Sequence, residues 1–177
     1  MAFVAYDRNS RIAVLLAPAA VQIIDIFRAF GDFEDHYDVA ALDAIENDLA
    51  CLIDRHTAKA IVSSALLFGF GLRRERGRPI DYAPLKSRHG RLDEYRILAL
   101  MGAAYNRDAT LAEEVATSLG AAHVEPLVGL ARDIAVRLGE AGLVLDDLDP
   151  RVFRAPTPDD CRQEASVRAT RKKRFDL

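Results

Sequence analysis

Residues able to carry acid–base, nucleophilic or metal chemistry are few in this chain, and they stand apart. The histidines are His36, His56, His89 and His123, and the cysteines are Cys51 and Cys161. Asp35-His36 with Asp38, and Asp54 with His56, would supply metal ligands if two helices brought them together. No His-x-x-x-His, Glu-x-x-His or Cys/His spacing puts two ligands on one helical face, so surface or capping roles are expected instead. Cys51 falls among Leu49, Leu52 and Ile53, which predicts a buried, inert thiol. Ser63-Ser64 lacks a Gly-x-Ser-x-Gly elbow. Gly69-Phe-Gly71 before Arg73 and Arg74 suggests a phosphate loop, but such a loop follows a strand and opens a helix, and the order here is reversed. No catalytic set, metal or cofactor is expected.

Charge is the stronger signal. Nine acids and one base, Arg28, lie between Asp25 and Asp54. From Leu72 to Arg96 there are eight bases against four acids, and from Arg162 to Arg174 six bases against one. The candidate partner- or anion-binding residues are therefore Arg73, Arg74, Arg76, Arg78, Lys86, Arg88 and Arg91, with Arg171, Lys172, Lys173 and Arg174 in the tail. Two outcomes are open for the basic connection: it lies over the acidic helices, or it contacts an anionic partner. Nucleic acid is only weakly supported, because Tyr82 alone could stack in the connection and Phe175 alone in the tail.

The whole-chain arithmetic hides this segregation. The 177 residues are 50% hydrophobic and 29% charged, with a net charge of −3, which marks a globular chain and not a generally basic coat protein. Two cysteines exclude a disulfide scaffold and a four-thiolate zinc site. Four of the 24 basic residues are lysine, the rest arginine, a bias of GC-rich bacterial genomes. Arg11–Val21 faintly mimics a secretory signal, but apolar residues precede it and hydrophobicity resumes beyond Pro18, as in a core segment. Asp25 and Arg28 interrupt the best membrane-span candidate, so a cytoplasmic protein without membrane attachment is expected.

The elements that must position these residues are helical. Residues 1–16 fit either a β-hairpin about Asp7–Ser10 or a helix capped by Ser10, and the hairpin is preferred. Helices are predicted from Pro18 to a stop at Gly31, from an Asp38 cap through Leu52, and from Thr57 to fraying at Gly69 and Gly71. Residues 72–92 read as one long connection. Helical pattern resumes at Asp93, a Thr110/Glu113 capping box opens the next helix, and a further helix runs from about Glu125 to Gly142. The fold expected is mainly α: a single-domain bundle of five or six helices within residues 1–145. Residues 146–177 read as a linker and a loosely attached basic C-terminal helix.

Residues 93–144 resemble a helix-turn-helix segment, with Glu114–Gly120 as its first helix and turn. The resemblance breaks where the recognition helix should begin, since Ala121–Leu130 contains Glu125 and Pro126 in place of base-reading side chains. The function expected is that of a non-enzymatic bacterial accessory or regulatory protein working through protein–protein contacts or self-association. A helix-turn-helix DNA-binding regulator and an enzyme with a His/Asp site are the alternatives.

Overall fold

The computed structural model describes residues 4–6, 12–143 and 145. Among them, β1 (Val4–Tyr6) and β2 (Ile12–Leu15) form the expected antiparallel hairpin, with Val4 opposite Val14. Six helices follow: α1 (Pro18–His36), α2 (Val39–Ala50), α3 (Arg55–Arg76), α4 (Leu92–Tyr105), α5 (Ala109–Ser118) and α6 (Val124–Glu140). The protein is a mainly helical bundle. The predicted C-terminal helix lies outside the described residues.

The 72–92 connection differs from its prediction at both ends. Leu72–Arg76 continue α3, and His89–Arg91 form β3, which pairs with β2 and completes a three-stranded sheet. Only residues 77–88, here called the strap, cross the surface as loop.

α4 is the central helix. Leu92, residues 94–101, Ala103 and Ala104 are all buried, with α5 and α6 packed on it and α1 meeting it nearer its start. α6 fits between α3 and α4 through Leu127, Ala131, Ile134 and Leu138, a 3–4 spacing that makes one apolar stripe. α2 closes the other side against α1 and α3.

The predicted stop at Gly31 and the predicted fraying at Gly69 both fall inside their helices. A Cβ on Gly31 would stand 2.6 Å from the Tyr82 ring, and one on Gly69 would stand 2.5 Å from the Phe30 ring. Glycine is required there by close approach, so α1 runs on to Tyr37, whose left-handed φ of 55° ends it. Likewise α3 runs through Gly69 and ends at Gly77. Local propensity is overridden by packing at both sites.

The capping predictions divide. Asp38 caps α2 by accepting from the Ala40 N–H at 2.9 Å, as expected. α5 is capped by Asp108, which accepts from Leu111 N–H at 3.0 Å, while Thr110 lies inside the helix. The Thr-x-x-Glu pattern was outcompeted by an Asp two residues earlier. Pro126 sits in the first turn of α6, where a missing N–H costs no helical bond.

The two kinds of helical glycine separate experimentally. Gly69→Ala should cost about 1–3 kcal/mol by overpacking Phe30, despite the better helix propensity of Ala. Gly129→Ala on the open face of α6, with nothing within 4 Å, should gain up to about 1 kcal/mol. Denaturant midpoints of the two variants should therefore shift in opposite directions.

Candidate site: a basic cleft under the strap

The strap is held by an ion cluster in the interior. Arg28 on α1 is 1% exposed and Glu94 on α4 is 0% exposed. The Arg28 guanidinium donates from Nε to Glu94 Oε1 at 2.7 Å, from Nη2 to Oε2 at 3.2 Å, and from Nη1 to Asp25 Oδ1 at 3.0 Å. Nη1 also donates to the Ser87 carbonyl at 2.9 Å. Burial alone would push the guanidinium down, but hydrogen bonds and charge from Glu94, and then Asp25, hold it above its ordinary value.

Those carboxylates in turn accept the backbone of the strap. Ala83 N–H donates to Glu94 Oε1 at 3.0 Å, and Arg91 N–H donates to Oε2. Lys86 N–H reaches both Asp25 oxygens at 3.1 Å, while Leu16 N–H donates to the Arg88 carbonyl at 2.8 Å. A segment rich in Pro and charge thus acquires a defined path over α1.

Between the strap, α1 and α3 lies a cleft of about 600 Å³. Arg28, Phe30, Gly31 and Asp32 line it from α1, Gly69 and Arg73 from α3, Pro79–Leu85 from the strap, and Arg91 from β3. Asp81 Oδ2 stands 3.9 Å from Arg91 Nε. Next to the cleft, Phe70 meets the Phe30 ring edge-on at 4.9 Å. Phe70 is 50% exposed and Leu67, one turn earlier, 60%.

The basic candidates therefore scatter to different places. Arg73 and Arg91 converge on the cleft. Arg74, Arg78 and Arg88 are exposed outside its lining, and Lys86 faces away, with Nζ 3.9 Å from Asp48. The side chain of Arg76 is withdrawn from the surface: only 2% exposed, it donates to Asp93, which also accepts from Arg96 at 3.3 Å. Arg171, Lys172, Lys173 and Arg174 lie outside the described residues.

Among these candidates, Ser64 and His123 make contacts that tie helices together. Asp54 caps α3 through Thr57 N–H at 3.0 Å, with His56 in the first turn. Ser64 Oγ donates to Asp133 at 2.8 Å, which ties α3 to α6. Glu75 accepts from the backbone N–H of Ala122 and His123 and contacts His123 Nδ1 at 2.9 Å, joining the end of α3 to the start of α6. Cys51, expected to be buried, is exposed, because α2 ends at Ala50 and leaves it in the following turn. No group of three His, Cys, Asp or Glu that could hold a metal occurs among the described residues. The outward positions of α6 in its first turns are Glu125, Pro126 and Gly129, with Arg132 beyond them. No helix among the described residues is long and apolar enough to cross a membrane.

Arg28, Asp25 and Glu94 were not singled out in the sequence as site-builders. Their one local signal is a pair of charges three residues apart inside the apolar run Val21–Phe30. Glu94, 66 residues away, has none. No protein family, curated protein or solved structure matches the chain.

Arg28→Met should cost about 3–5 kcal/mol, because it leaves two buried carboxylates without their cation. Urea unfolding of the variant measures this. A loss below about 1 kcal/mol would mean that the cluster is not what holds the strap.

Acid should also destabilise the protein. The carboxyl of Asp133 is held below its ordinary value first by Arg137, that of Glu75 by His123, and that of Asp54 by its bonds to Thr57. Each folded value is below the unfolded one, so this stability is complete above about pH 5 and lost as pH falls through the folded values. The thermal midpoint should drop between pH 5 and pH 3, and less steeply in Glu75→Gln; a flat profile would contradict the assignment.

Proposed function

We propose that the protein is a non-enzymatic binding module acting through protein–protein contacts, and that the cleft under the strap receives an acidic partner segment bearing an apolar side chain. The observation carrying this reading is that Arg73 and Arg91 line one cleft while Phe70, packed on the cleft residue Phe30, stays half exposed. Arginine and aromatic side chains together are the usual energetic centre of a protein interface. The cleft offers guanidinium and carboxylate groups, which hold ligands by charge, and among the described residues no His, Ser or Cys lines it. Two adjacent features therefore support binding: guanidinium groups lining the cleft and apolar surface beside it.

The probe is a fluorescein-labelled peptide in which Asp and Glu alternate with Phe and Leu. Fluorescence anisotropy should show binding that weakens with salt. Arg73→Glu and Phe70→Ala should each weaken it about tenfold or more, about 1.4 kcal/mol. Lys86→Glu, outside the cleft, should leave it unchanged. Equal binding by all variants, or retention of duplex DNA in place of the peptide, would refute the proposal.

A further inference from the structure

A second groove, of about 350 Å³, runs between α1 and α2 on the other side of the Asp25–Arg28 pair. Its floor is aliphatic: Val21, Ile26, Ile45 and Leu49 are buried there, and Leu52 is half exposed. Its surroundings are acidic. α2 carries exposed Asp43 and Asp48 and half-buried Glu46, and no Lys or Arg occurs from residue 29 to residue 54. The one base lining it is Lys86, 3.9 Å from Asp48.

We propose that this groove is the docking site of the chain's own C-terminal segment, Thr157–Leu177, bound in cis. The segment as a whole has six bases against four acids, and its stretch 162–174, with six bases and one acid, is the electrostatic complement of α2. Phe175 follows directly with an aromatic ring for the aliphatic floor. Length permits the connection. The fourteen residues from Leu143 to Thr157 span up to about 46–50 Å when extended. A domain of this size has a radius of gyration of about 14 Å, so most of its surface is within reach. A tethered segment acts at roughly millimolar effective concentration, so individually weak, screened pairs are enough to hold it. The inference is independent of the cleft under the strap, whose arginines would repel the same segment.

Zero-length carbodiimide coupling on the full chain tests it. The lysines are Lys59, Lys86, Lys172 and Lys173, so links from the tail are identifiable by peptide mass. Lys172 or Lys173 should be joined to Asp43, Glu46 or Asp48 in monomeric protein, and the links should disappear at 1 M NaCl, where screening is nearly complete (Debye length about 3 Å). The same links found only in covalent dimers would make a second copy the occupant and overturn the proposal. Links from the tail only to other carboxylates, or none, would also overturn it. Hydrogen exchange provides a second measure. With Arg171, Lys172, Lys173 and Arg174 all changed to Gln, amides of α2 should exchange at least threefold faster while those of α6 are unchanged. Equal rates in α2 would count against the tail.

Discussion

A guanidinium with almost no solvent exposure, paired with a carboxylate that has none, is the interaction on which the rest of this structure depends. Burying either charge alone would be prohibitive, and burying both is tolerable only when every remaining donor and acceptor finds a partner. Arg28 and Glu94 come close to that condition: four of the five Arg28 N–H groups donate to Glu94, Asp25 and the Ser87 carbonyl, and the two carboxylates also accept the backbone N–H groups of Ala83, Lys86 and Arg91. The cost of burial is thereby converted into geometry. α1 and α4 are locked in register, the strap is tied to both, and β3 is delivered to the edge of β2.

The cleft follows from that geometry. Arg28 is held by its partners and forms part of the wall, while Arg73 and Arg91 reach the same space from α3 and β3. The opposite wall is possible because Gly31 and Gly69 let aromatic rings approach the helix backbones. Tyr82 comes against α1, and Phe30 lies against α3, where it meets Phe70. Charge and exposed apolar surface are adjacent because two side-chain-free positions allow it. Asp25 lies at the boundary of the second groove as well, so one buried cluster separates an arginine-lined cleft from an acid-rimmed groove.

Much of the helical layout was legible because it is local. Pro18 as a first helical residue, the Asp38 cap and the apolar stripe of α6 are each decided by a few neighbouring residues. Failures occur where a local signal had a competitor. Thr110/Glu113 loses to Asp108, and Gly31 and Gly69 read locally as a stop and a fraying point because their ring partners come from residues 82 and 30. The candidate site was half legible. Its arginines stood out by charge, yet the same charge run also contained Arg76, which is buried on Asp93, and Lys86, which faces the other groove.

By itself, then, the sequence determined the helical class, most helix starts and the segregation of acidic from basic stretches. Periodicity, capping and charge are properties of residues within a few positions of one another. Tertiary structure alone decided which basic residues share a surface, which glycines are interior and what the strap rests on. Those outcomes depend on contacts such as Arg28 with Glu94, between residues 66 positions apart. Nothing in either local segment specifies the other, because a buried ion pair is chosen by the whole packed core that encloses it.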